Sequence, residues 1–360
     1  MGENRRRVAI AGLDHYHTTG WVDSLALFED QLEIVAIYEP DEGLRESRAP
    51  RFFDPHLSPA LDRRYANLPF VTDLDEVISR YSPDIALVTL PNRDAPAAIE
   101  ALASAGVHML VDKPGAMNAR EAARAFESAR NTGVSIATGL LRRYGRGWQA
   151  ARYMMASNRT GRLLTAEAIF NTSSPLVRDP RNHLFSRELQ GGGILLWLGV
   201  HDIDQLLWLA GERIVEVQAL SATVSDAGIG VEDAISVAFR FEGGTLGTLH
   251  YAYCLPRTLS EGYLALRGEH GSLTIRNDGS VQWIGPGDRR DPVKEEIISS
   301  SSAKMPGYGS MAPLLIADLL AAIDDQREPL ANGECLVNAL RVVDAVYEAA
   351  ETGNRVSVAW

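Results

Sequence analysis

The chain has 360 residues, 46% of them hydrophobic and 23% charged, which is material for two domains with full apolar cores. Its 35 basic and 47 acidic residues leave a formal net charge of −12, which disfavours nucleic acid or an anionic membrane as a partner. Two cysteines, Cys254 and Cys335, offer neither a disulfide framework nor metal-ligand spacing; with no signal-peptide core and no bilayer-length apolar run, a cytoplasmic protein is expected.

In chain order, Arg5–Arg6–Arg7 reads as a solvated lead-in, and RVAIAGL (7–13) as a buried strand entering a glycine turn. A helix is expected over 18–29, then a second strand, LEIVAIYEP (32–40), closing on Glu39. Residues 50–64, with two prolines and several charges, predict a loop with a little helix. Strands at PFVT, DIALVTLP (84–91), VHMLVDKP (107–114) and VSIATGL (134–140) then alternate with helices over 73–80, 95–105 and 118–132. Short apolar runs alternating with helices predict a parallel sheet covered on both faces. Ligands of such sheets bind beyond the carboxyl ends of the strands, here Gly12, Glu39, Pro91, Lys113 and Gly139.

After residue 140 the rhythm changes. A helix over 148–156 and a strand, GRLLTAEAIFN, lead to QGGGILLWLGVHDIDQLLWLAG (190–211). There three glycines precede an apolar helix that stops at Gly211. Trp197, His201, Asp204 and Trp208, spaced four, three and four apart, share one helical face. A His and an Asp one turn apart on such a helix need partners or a ligand, so a satisfied core pair and an active site both stay open. Beyond them, IVEVQALSATV, AISVAFRF, GTLGTLHYAY, GYLALRG and GSLTIRN predict an antiparallel sheet. Residues 294–309, with the Ser299–Ser302 run, read as a mobile loop; helices over 312–325 and 334–352 and a last strand, RVSVAW, complete the chain. The expected α/β architecture is a Rossmann domain with a doubly wound parallel sheet (1–139), followed by an α+β domain with an open, largely antiparallel sheet (140–360). The second domain would bind substrate, and its open sheet face calls for a homodimer or homotetramer.

Four segments, PDIALVTLPN (83–92), AGVHMLVDKP (105–114), GGG-x-L-x-x-x-G-x-H-x-x-D (191–204) and GEHGSLTI (268–275), occur in an order that resembles the Gfo/Idh/MocA family of nicotinamide-dependent sugar and polyol oxidoreductases. The resemblance covers nearly the whole chain. It implies cofactor contacts from Gly12, Leu13, Asp14, Tyr16 and His17, where the family has G-x-G-x-x-G, and from Glu39, Leu90, Pro91, Asn92, Asp112 and Lys113. Here Asp14 and His17 replace the second and third glycines; a carboxylate beside a diphosphate is repulsive, whereas a histidine can donate to it. Glu39 favours NAD over NADP, because it can accept ribose hydroxyls and repels a 2′-phosphate. The histidine usual a few residues beyond Asn92 is Ala95. An alternative for Asp14-His15-x-His17 is a metal site, but no further ligand cluster is evident in the sequence and no metal is expected.

The resemblance also assigns the chemistry. Lys113, in an Asp-Lys-Pro tripeptide like the family's Glu-Lys-Pro, would stabilise a developing alkoxide, and Pro114 would fix the turn that aims it. His201 matches the acid/base that takes the hydroxyl proton, and Asp204 could orient its imidazole. The family's Asp four residues before that histidine is Trp197 here, a platform for a sugar ring or a core residue. Arg142, Arg143, Trp148 and His183 lie where substrate contacts are expected. The implied activity is an NAD-dependent dehydrogenase or reductase acting on a sugar, inositol or related polyol. A redox-neutral sugar-modifying enzyme with tightly bound NAD, or a non-catalytic ligand-binding member, are the alternatives.

Overall fold

Six apolar runs become six parallel strands. The computed structural model describes residues 5–47, 67–173, 175, 180, 182–256, 259–286, 295–298 and 309–360. Its first half runs β1 (Arg6–Ala11), α1 (Thr18–Leu25), β2 (Leu32–Tyr38), α2 (Glu42–Ser47), β3 (Phe70–Val71), α3 (Leu74–Tyr81), β4 (Ile85–Val88), α4 (Ala95–Ser104), β5 (His108–Val111), α5 (Ala119–Thr132) and β6 (Ile136–Thr138). The sheet order is β3-β2-β1-β4-β5-β6 with every pair parallel. The order reverses between β1 and β4, and the crevice at that reversal is the ligand position of this architecture. Val8, Ile10, Ile85, Leu87 and Leu110 are buried because helices cover both faces, and each contributes about 1.5–3 kcal/mol of burial. Local signals set the helix ends: the Asp73 side chain accepts the Asp75 amide, Asn118 accepts the Glu121 amide, and α5 stops on Gly133 at φ +73°.

The second half runs α6 (Arg146–Ala156), β7 (Leu163–Ser173), α7 (Arg187–Gln190), a π turn (Leu195–Gly199), α8 (Val200–Ala210), β8 (Ile214–Ala222), β9 (Ala234–Phe241), β10 (Leu246–Leu255), β11 (Ser260–Gly268), β12 (Gly271–Arg276), β13 (Val281–Ile284), β14 (Glu295–Ile298), α9 (Met311–Asp325), α10 (Gly333–Thr352) and β15 (Val356–Ser357). Its nine-stranded sheet has the order β14-β13-β12-β11-β7-β10-β9-β8-β15, and only β7 with β10 is parallel. Ile203 and Leu206 of α8 and Val342 and Val346 of α10 gather with Val217, Val237, Phe239 and Leu249 of the sheet. Alternate strand positions such as Leu164, Leu220 and Leu246 are left exposed.

The chain divides into two compact units, residues 1–141 with 303–337 and residues 142–302 with 338–360. The expected boundary at 139/140 lies two residues before the first cut, and the residues beyond it are shared between the two units. The segment 309–337 returns to the parallel sheet: α9 packs on α1, β5 and β6, the Thr138 amide donates to the Ala331 carbonyl at 2.7 Å, and Ala137 bridges Asn332. An edge strand with unpaired backbone groups gains partners that way. The loop expected over 294–309 contains β14, which pairs with β13, while its residues 299–308 and the loop expected over 50–64 lie outside the described residues.

Candidate functional site

In the first unit, β1 ends at Gly12, whose φ of +97° and close packing both require glycine: an added Cβ would lie 2.7 Å from the Leu90 nitrogen and 2.8 Å from the Thr89 carbonyl carbon. Thr89 holds the turn from β4, its Oγ1 donating to the Gly12 carbonyl at 2.7 Å while accepting from Thr18 Oγ1 at 3.0 Å. Glu39 ties the same turn to β2: one carboxylate oxygen accepts the Leu13 amide at 2.8 Å and the other the Asp41 amide at 2.9 Å. Burial pushes the Glu39 carboxyl up, against the pull of those two amides. Leu13 therefore gives its amide to Glu39 and buries its side chain, while Asp14, Tyr16 and His17 are part-exposed. Leu90 and Asn92 are buried and Pro91 part-exposed at the end of β4.

Two strand ends away, Asp112 and Lys113 follow β5. Lys113 is 1% exposed, which excludes the ordinary surface lysine that a strand end could have held. Asp112 Oδ1 accepts the Lys113 amide at 2.8 Å; Oδ2 accepts His17 Nδ1 at 2.7 Å and lies 3.3 Å from His15 Nδ1. Burial pushes the Asp112 carboxyl up, but the His17 and His15 imidazoles and the Lys113 ammonium outweigh it and hold the group below the ordinary carboxylate range. Gly139, at the end of β6, leaves room for this turn, since a Cβ there would fall 2.5 Å from Asp112 Oδ1. His15, His17 and Asp112 thus form a group of potential metal ligands whose atoms lie within 4.8 Å of one another. Of the sequence motif Asp14-His15-x-His17, the two histidines join this group, and Asp112, 95 residues from His17, is brought to them by the strand order β1-β4-β5.

In the second unit, the glycine run before α8 is a close approach of backbone to side chains. A Cβ on Gly192 would meet the Tyr347 hydroxyl at 2.1 Å, and one on Gly193 the Glu232 carbonyl oxygen at 2.0 Å. The half-buried Glu232 carboxylate accepts the Gly193 amide at 2.8 Å, the Leu195 amide at 3.1 Å and the Tyr347 hydroxyl at 2.8 Å, fixing the start of the π turn. Burial pushes both the Glu232 carboxyl and the Tyr347 hydroxyl up. Trp197 lies buried in that π turn, a local break in α geometry that recurs at functional sites. His201 follows on α8 and is part-exposed, and His183 is buried in a 3₁₀ turn.

The two acids of α8 are held by arginines. Arg143 grips Asp204 with Nε at 3.0 Å from Oδ2 and Nη2 at 2.6 Å from Oδ1, and Gln205 donates to Oδ2 at 2.9 Å. Arg142 and the Tyr251 hydroxyl both bond Asp202, which the sequence analysis did not single out. Burial pushes both carboxyls up, with the paired guanidinium opposing it in each. Asp204, expected to orient His201, is paired with Arg143. Arg142 stacks over Trp148 at 5.3 Å and Arg143 over Trp208 at 5.2 Å.

Residues 6–140 match the model of an oxidoreductase family with an NAD-binding Rossmann fold, and residues 148–274 match that family's C-terminal domain. The chain belongs to the Gfo/Idh/MocA family. It is 27% identical over 292 residues to the 1,5-anhydro-D-fructose reductase of Ensifer adhaerens, covering 80% of this chain and 84% of that one. It is 24% identical over 298 residues to the inositol 2-dehydrogenase of Rhizobium meliloti, covering 80% and 85%. Among solved structures, the fold matches a levoglucosan dehydrogenase in complex with NADH and levoglucosan, with a TM-score of 0.82 at 17% identity over 99% of this chain and 100% of that one. An oxidoreductase domain protein from Kribbella flavida matches with a TM-score of 0.83 at 19% identity over 99% and 100%. No helix among the described residues is long and apolar enough to cross a membrane.

Proposed function

We propose that this protein is an NAD-dependent dehydrogenase or reductase acting on a secondary hydroxyl of a sugar, inositol or related polyol. The observation that carries this is Lys113, a fully buried lysine at the carboxyl end of a Rossmann strand, in a family whose relatives named above act on sugars and inositols. NAD, when bound, takes up or returns the hydride. The donor chemistry of the first unit suits a dinucleotide: each Glu39 oxygen accepts one amide and keeps a lone pair for a ribose hydroxyl. The buried carboxylate repels a 2′-phosphate, which supports NAD over NADP.

In this reading the Lys113 ammonium stabilises the oxygen of the reacting hydroxyl as its proton leaves. His201 takes that proton in oxidation and returns it in reduction. Asp204 acts one step further away, keeping Arg143 and α8 in place through their ion pair. Arg142, Trp148, Trp197 and His183 remain candidates for shaping the substrate side of the second unit. The free thiols of Cys254 and Cys335 support a reducing, cytoplasmic compartment, and the exposed Leu164, Leu220 and Leu246 support a homodimer or homotetramer. The test of the cofactor assignment is a calorimetric titration, in which NADH binds more tightly than NADPH and Glu39→Gln removes the preference. Equal affinities in the parent protein would refute the role given to Glu39.

A further inference from the structure

His15, His17 and Asp112 converge beyond the carboxyl ends of β1 and β5, in a pocket where His15 and Asp112 are each 4% exposed. His15 Nδ1 lies 3.3 Å from Asp112 Oδ2 and accepts the His17 amide at 3.1 Å, while His17 Nδ1 lies 2.7 Å from the same carboxylate oxygen. Two imidazole nitrogens thus converge on one buried carboxylate oxygen, with all three ligand atoms within 4.8 Å of one another, and a cation taken up there replaces the amide as the partner of the His15 ring.

From this geometry we propose that His15 Nδ1, His17 Nδ1 and Asp112 Oδ2 form a binding site for a divalent first-row transition metal of the zinc type. Ligand atoms around a tetrahedral ion with bonds of about 2.0 Å stand about 3.3 Å apart. The His15–Asp112 pair already has that spacing, and the His17–Asp112 pair, at 2.7 Å, reaches it by opening modestly as a metal enters. Two imidazoles and one carboxylate suit zinc, cobalt or ferrous iron, whereas magnesium and calcium take all-oxygen sets. Three protein ligands leave at least one coordination position for water or another oxygen ligand. The site joins the turn after β1 to the turn that carries Lys113, so metal binding ties the two together. Replacement of two of the family's loop glycines by Asp14 and His17 marks the same turn as altered in this chain.

The test is a calorimetric titration of chelator-stripped protein with zinc chloride, with magnesium chloride in parallel and cobalt(II) absorption as a report of nitrogen coordination. The expected result is one zinc per chain, no magnesium uptake, and at least about a tenfold loss of zinc affinity in each of His15→Asn and His17→Asn. Zinc should also raise the melting midpoint of the parent protein and not that of a variant whose far-ultraviolet circular dichroism shows it folded. Where a histidine variant does not fold, Asp112→Asn, which keeps the side-chain shape, serves the same comparison. Absence of zinc uptake by the parent protein, or uptake unchanged in a folded variant, overturns the site and leaves a hydrogen-bonded His–Asp cluster.

Discussion

Glu39 and Asp112 of the first unit and Asp202 and Asp204 of the second, all buried, keep different company. In the first, Glu39 accepts two backbone amides and Asp112 meets two imidazoles, partners that can yield to a hydroxyl or a cation. In the second, Asp202 and Asp204 are held by the always-charged guanidiniums of Arg142 and Arg143. Burial pushes Glu39, Asp202 and Asp204 up, and only Asp112 falls below the ordinary range. Burial alone therefore does not fix a carboxylate's state, and the partner decides whether the group can serve a ligand or only hold a helix. Glu39 and Asp112 therefore have exchangeable partners, whereas Asp202 and Asp204 are clamped.

That contrast can be broken in order of expected effect. Lys113→Ala and His201→Ala should each lower turnover on an established substrate by about a thousandfold or more, with NADH affinity within a few-fold of the parent protein. Turnover near the parent value in His201→Ala would reduce the histidine to a packing residue. Arg143→Leu should leave the Asp204 carboxylate buried without its cation and destabilise the second unit by about 3–5 kcal/mol in urea unfolding. A loss below about 1 kcal/mol would show that the clamp is dispensable.

Glu39 supplies a smaller effect with a definite sign. Its folded-state affinity for a proton is raised, so its contribution to stability is fully present below the unfolded value of about 4.3 and is lost as pH rises through the folded value. At neutral pH the ionised group is a burden on folding that the ligand site requires. NADH affinity should accordingly stay flat above the folded value and weaken as pH falls below it, at a higher pH than an exposed glutamate would give. Glu39→Gln should flatten that profile without lowering the melting midpoint at neutral pH. The smallest effect is expected from Asp14→Gly, which removes a negative charge beside the diphosphate position and should tighten NADH binding a few-fold. Weaker binding would show that Asp14 holds the turn in its present shape.

Much of this was legible in the sequence where one physical period dominates. The parallel strands are short apolar runs punctuated by Gly12, Pro91 and Gly139, and Lys113 stands out because it closes such a run. The glycines of 191–193 announced close backbone approach, which Tyr347 and Glu232 supply from distant segments. What stayed hidden depends on pairing across the chain. Arg142 and Asp202 are 60 residues apart, and His17 and Asp112 are 95 apart, so no local spacing relates them. Helical spacing placed Asp204 near His201 but could not say that Arg143 would take its carboxylate. The return of 309–337 to the first unit was invisible for the same reason: α9 reads as an apolar helix whichever sheet it covers.

The most direct test of the central claim is turnover of a panel of sugars, inositols and anhydrosugars with added NAD, followed by the absorbance of the reduced nucleotide and by product analysis. The account predicts that at least one member of the panel gives stoichiometric oxidised product and NADH, with both absent in Lys113→Ala. Product formed without net reduction of the nucleotide would contradict it and point to redox-neutral chemistry; no binding of NAD or NADH at all would point to a non-catalytic member of the family.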